Sequence, residues 1–259
     1  MSRDERSPAG ADAPMRRQLR WLWATVIGLG VLWLSTAAWL VTGSTLRPPV
    51  LTAERLEIVE PDGALAFVIA NSQRPVAATL DGQTLMGDQE EARRGIPSII
   101  FFDGKGDEVG GMLFGVRETS KGYNATRHLS LDGHGQDQTV VLAHYQDPAG
   151  STSGLTVSDR PAHSMLEMLG QLGLEPGASS ADLSAAITAI PEDVQPARRR
   201  ELFGTTRAFV GRARGGEAAL VLRDGEGRQR IVIEAPDEGE PSIRILDAGG
   251  NIVLRLPDS

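Results

Sequence analysis

Two periodicities divide the chain. From Arg20 to Arg47 no residue is charged between the two arginines, and the window from Trp21 to Leu34 is almost wholly apolar. A helix needs about 20 such residues to cross the hydrocarbon of a bilayer, so the run predicts a transmembrane helix over residues 19–42. All four tryptophans fall inside it. Trp21 and Trp39 would stand about 27 Å apart at the usual helical rise, and indole rings favour the headgroup level at both faces. A cleaved signal peptide has a shorter apolar centre, about 7–15 residues, followed by a small-residue cleavage site. Ala38-Trp39-Leu40-Val41 is a poor cleavage neighbourhood. An uncleaved signal anchor is therefore expected ahead of a cleaved signal or a buried core helix.

Beyond about residue 51 the period shortens to two. A β-like segment runs into an Asp/Gly turn and a second one leaves it, again and again. The turns are Pro61-Asp62-Gly63, Asp81-Gly82, Asp103-Gly104-Lys105-Gly106, Asp132-Gly133-His134-Gly135, Asp224-Gly225-Glu226-Gly227 and Asp247-Ala248-Gly249-Gly250. Asp accepts hydrogen bonds from its own turn backbone, and Gly supplies the positive φ of a tight hairpin. In the fifth turn Gly225 is the residue expected to carry that φ. Leu56 and Ile58 enter the first turn and Leu65, Phe67 and Ile69 leave it; Ile243 and Ile245 enter the last and Ile252, Leu254 and Leu256 leave it. That alternation is the mark of half-buried strands. Each hairpin has an apolar face that it cannot bury alone.

Between about 162 and 204 the period changes to that of helices. Ser164 with Glu167 forms a capping box before Met165, Leu166, Met168, Leu169 and Leu172. Ser179 or Ser180 caps a second helix through Ala189, stopped before Pro191, and a third runs to Phe203 with Gly204 as an αL stop. The fold class is mainly β: a hairpin-rich domain over 51–259 with a helical insertion, preceded by a tail (1–18, expected to be disordered), one transmembrane helix and a linker (43–50) stiffened by Pro48-Pro49.

Charge sets the expected topology. The first 20 residues hold five arginines against Asp4, Glu5 and Asp12, formally +2, which leaves −10 of the whole-chain −8 for the rest. By the positive-inside rule the tail stays cytoplasmic and the β-rich domain lies outside. An acidic body argues against a nucleic-acid partner and against peripheral lipid binding, so the bilayer is met through the helix alone. Lysine occurs only as Lys105 and Lys121 against 24 arginines, which points to a GC-rich bacterial genome. With no cysteine the chain has no disulfide, thiolate metal site or thiol nucleophile.

Chemistry is sparse. No nucleophile elbow, His-Glu-x-x-His pair or phosphate-binding glycine loop is present. Asp103-x-Lys105-x-Asp107 resembles a calcium loop only until its third position, where a cation replaces the oxygen ligand. His128, Asp132, His134, Asp137 and His144 crowd one hairpin region without matching any metal signature, and read more simply as strand and turn residues. Arg198, Arg199 and Arg200 read as a solvated helix end rather than an anion site. No catalytic, cofactor-binding or metal-binding residue is assigned, and no cofactor is expected.

Leu56-Glu57-Ile58-Val59-Glu60-Pro61-Asp62-Gly63 with Ile69-Ala70-Asn71, Phe101-Phe102-Asp103 with Gly106-Asp107-Glu108-Val109-Gly110-Gly111-Met112-Leu113-Phe114, Gln136-Asp137-Gln138, Phe209-Val210-Gly211-Arg212 and Leu222-Arg223-Asp224 resemble segments of a group of uncharacterised, membrane-anchored bacterial proteins. That group has Asn-Gly-Gly where Val109-Gly110-Gly111 stands here. The resemblance implies a single-pass anchor with a β-rich outer domain, and it brings no established activity, ligand or catalytic residue to this chain. Three functions follow from the whole reading. The first is a non-catalytic envelope protein of the bacterial inner membrane whose outer domain binds another envelope protein or itself. Ala24, Gly28 and Ser35 give its helix a weak small-residue stripe. The second is a small-ligand sensor or carrier. The third is a metal-dependent hydrolase working through the His128/His144 region.

Overall fold

The structure, a computed structural model, describes residues 12–43 and 50–257. The first eleven residues of the tail and linker residues 44–49, with the Pro pair, lie outside the described residues. The chain falls into two compact units, Met1–Thr52 and Ala53–Ser259.

The first unit is one helix, α1 (Asp12–Gly43). It starts seven residues before the predicted span, so the end of the expected tail is helical. Pro14 is compatible with this because the first helical turn has no intrahelical donor to lose. Met15–Trp39 is long and apolar enough to cross a membrane, a property shared by signal sequences. The hydroxyls of Thr25, Ser35 and Thr36 donate to carbonyls three or four residues back in the same helix.

The second unit is built on one antiparallel sheet of twelve strands. In chain order they are β1 (Arg55–Val59), β2 (Leu65–Ala70), then, after a small hairpin of β3 (Thr79–Leu80) and β4 (Gln83–Thr84), β5 (Ser98–Phe102), β6 (Glu108–Thr119), β7 (Gly122–Asp132), β8 (Gln138–Asp147), β9 (Gly150–Asp159), β10 (Thr205–Arg212), β11 (Ala218–Arg223), β12 (Gln229–Ala235), β13 (Ser242–Leu246) and β14 (Ile252–Leu256). The sheet order follows the chain, with the β3–β4 hairpin set aside. Every strand therefore pairs with its neighbours in sequence.

Local turn chemistry explains the meander. In four turns the same device recurs: the Asp103, Asp224 and Asp247 carboxylates each accept two backbone N–H bonds of their own turn, and Asp62 accepts one from Ala64. A glycine with positive φ closes each of them, at Gly63, Gly106, Gly227 and Gly250. The fifth-turn expectation is corrected here. Gly227, at φ +78, carries the left-handed conformation and Gly225 does not, because the strained position is the last of the turn, where the strand resumes through a bulge. Antiparallel order puts these hairpins at one end of the sheet, together with the helical insertion between β9 and β10.

Two insertions grow from the sheet. Residues 71–97 include β3, β4 and α2 (Gln89–Arg93), and bring Val76 onto a core of Val68, Ala70, Ile100 and Phe102. The other holds α3 (Met165–Gln171), α4 (Ser180–Thr188) and α5 (Gln195–Phe203). Ser164 and Ser179 both form capping boxes. Gly204 does end α5, but at φ 76 and ψ −159, an extended mirror conformation rather than αL. Met168, Leu169 and Leu202 make the helical core with Met86 of the first insertion packed against it. Gly87 N–H donates to Ala178 O at 3.0 Å and Gly177 N–H to Leu85 O at 3.1 Å, tying the two insertions together.

Candidate functional site

Side chains alternate across a strand, so the register assigns every residue to one of two faces. Val68, Ile100, His128, Ser130, Val221 and Val232 share one face, and all are buried. The other face carries two cross-strand ladders that run the full width of the sheet. One begins Leu56–Ile69–Ile99–Met112–Leu129–Leu142. It continues Leu155–Val210–Leu220–Ile233–Ile243–Leu256. The parallel ladder runs from Ile58 through Phe67, Phe101, Leu131 and Val140 to Leu254, and only Gly110 and Ala208 in it are small. Neither ladder contains a polar side chain.

Apart from Gly110, no ladder residue is buried. Leu142 is 56% exposed, Leu131 55% and Ile233 42%. The next row along the strands, Phe114–Arg127–His144–Ser153–Arg212, is mixed, so the apolar band is bounded by polar residues. Exposed apolar patches of more than a few hundred Å² are uncommon on soluble monomers and mark contact surfaces.

The opposite face holds a polar cluster beside the first insertion, buried at His128 and Ser130 and partly open towards Tyr145. Arg93 of α2 grips both carboxylate oxygens of Glu108 at 2.7 and 2.9 Å and donates to Val76 O at 2.7 Å. This pair is nearly dry, with side chains 12% and 10% exposed. The register points His128, Ser130 and Asp132 of β7 to that face, and Tyr145 of β8 with them. His128 Nδ1 lies 2.5 Å from Tyr145 Oη. Burial pushes the Asp132 carboxyl up to about 7, reinforced by the charges of Glu108 and Asp137. Burial lowers His128, with Arg93 adding to the effect against Asp137, and burial raises Tyr145.

The five residues that crowd one stretch of sequence are thus dispersed in space. His128 and Asp132 lie on the covered face, whereas His144 lies on the ladder face, its Nδ1 2.7 Å from Ser153 Oγ. Asp137 sits in the turn, 3.5 Å from Arg160. Asp132 does not cap its own turn, as Asp103 and Asp224 do. Among the described residues no group of three or more His, Asp or Glu is placed to hold a metal ion. The carboxylates of the calcium-like stretch are used internally: Asp103 in its turn, and Asp107 as acceptor of Asp81 N–H at 2.7 Å. Arg198 and Arg200 pair with Glu201 and Glu226, each at 3.0 Å.

Arg93, Glu108 and Tyr145 were not singled out from the sequence. Only the alternation His128-x-Ser130-x-Asp132 hinted that a polar row shares one face. Comparison with protein-family models, curated proteins and solved structures finds no match.

Proposed function

We propose that this chain is a non-catalytic, single-pass protein of the bacterial inner membrane, whose β-rich domain acts outside the cytoplasm as an association surface for an envelope protein or for itself. The observation that carries the reading is the pair of apolar ladders, left largely exposed, on one face of a sheet whose other face holds the chain's own buried core and insertions. Leaving such a band in water forgoes about 25 cal/mol for each Å² of apolar surface, a cost that association removes. The hydropathy of α1 and the arginines that precede its apolar run, Arg16, Arg17 and Arg20 among them, support the anchor and its orientation.

The double substitution Leu142→Glu with Leu155→Glu in the full-length chain tests the reading. It should abolish specific co-purification from mildly solubilised membranes and leave the β-type circular dichroism unchanged. Undiminished co-purification would overturn it. A reporter at the C-terminus should be active only outside the cytoplasm, and carbonate washing should leave the chain in the membrane.

A further inference from the structure

We propose that the apolar face is closed by a second copy of this chain, the two sheets packing face to face across their ladders. This rests on the association surface proposed above and names its occupant. Twelve strands spaced about 4.8 Å apart make each ladder roughly 53 Å long. Two rows with their side chains cover about 14 Å along the strands, giving on the order of 750 Å² per copy. That is close to the roughly 800 Å² per partner of a standard stable interface.

Shape favours the same occupant. A second copy brings the same strand spacing and the same hand of twist, so its rows can interleave with these about the middle of the contact, with the sheets about 10 Å apart. The ladders carry no charge to be stranded on closure, and Arg127, His144 and Arg212 beside them form a polar rim. A different protein would have to offer an equally long apolar sheet. A small apolar ligand fits worse, because ligand sites enclose about 70–90% of their ligand and an open face touches only one side. Two of the clefts in the structure, about 330 Å³ beside Tyr123 and Asp147 and about 390 Å³ beside Glu234 and Arg244, are lined by no ladder residue.

Face-to-face dimers of this kind are isologous, with a two-fold axis through the middle of the contact. The middle of the sheet lies between β8 and β9, where Leu142 and Leu155 are cross-strand partners. The axis passes near these two residues whichever direction it takes in the plane of the sheet. Because the chain has no cysteine, an introduced thiol is the only one.

The test is cross-linking of the full-length chain in its membrane with a short bis-maleimide, using Leu142→Cys, Leu155→Cys and, from the opposite face of β9, Thr156→Cys. Covalent homodimer is expected from the two ladder positions and its loss at Thr156→Cys. Adding Leu129→Glu should remove the Leu142→Cys dimer without altering circular dichroism. Equal homodimer from Thr156→Cys overturns the proposal. Ladder adducts with a different polypeptide overturn it too, but leave the association surface standing. Ladder thiols that join no protein overturn both.

Discussion

On β7, His128, Ser130 and Asp132 point to one side of the sheet while Leu129 and Leu131 point to the other. The covered side is finished by the chain itself, with Val76 over Val68 and Ile100 and with Arg93 locked onto Glu108. Towards the C-terminal strands, where no insertion follows, long side chains take over that task. Arg230 donates to Leu246 O and Arg244 pairs with Glu234 on the face where Val232 is buried, their stems lying over apolar surface. The ladder side has neither insertion nor arginine layer. Two faces made from alternate residues of the same strands thus differ in who completes them, and an antiparallel sheet with one solvated face would ordinarily show polar residues there.

The covered face should be most sensitive at its ion pair. Arg93→Ala leaves Glu108 buried without its partner and should cost about 3–5 kcal/mol; a melting curve within a degree of the wild type would remove the covered face from the stability account. Ile100→Ala, at a fully buried position, should cost about 2–5 kcal/mol. In the fifth turn Gly227→Val should cost about 1–3 kcal/mol because only Gly227 holds a positive φ. Gly225→Val should cost much less, and equal costs would refute the turn assignment.

Asp132→Asn asks how dry the covered face is. The carboxyl is raised to about 7 from 3.8, so the folded chain keeps a proton that the unfolded chain releases. Its contribution is therefore fully present below pH 4 and lost as pH climbs to 7. His128 works in the opposite sense, since burial lowers it below 6.5 and stability falls as it is forced to protonate. The difference between variant and wild type isolates Asp132: little change in Tm near pH 3, a higher Tm for Asp132→Asn already at pH 5, and the largest gain at pH 8. A constant difference across that range would place Asp132 in water. Smallest of all is Leu142→Ala, expected to cost the dissociated chain under about 1.5 kcal/mol, since its side chain is half-exposed and leaves no cavity.

How legible this was depended on range. Hairpins and helix caps were readable because Asp62, Asp103, Ser164 and Ser179 act on residues within four positions of themselves. The apolar run showed its helix, though not that it reaches back to Asp12. Strand alternation at Leu56, Ile58, Phe67 and Ile69 revealed apolar faces, but their joining into two continuous ladders depends on the register of twelve strands. The buried cluster was hidden for a similar reason. Arg93 reaches the sheet face that holds Glu108 and Asp132 only because residues 71–97 fold back over it, which no local pattern records.

Thiol accessibility in intact membranes reports whether the ladder face is covered in the working protein. Ile233→Cys lies on the ladder, and Val253→Cys points to the opposite face of β14, where it is 63% exposed. A charged, water-soluble maleimide should label Val253→Cys readily and Ile233→Cys much more slowly than its 42% exposure in the single chain would allow. Equal labelling rates would mean that the face stays open to water, and the account would fail.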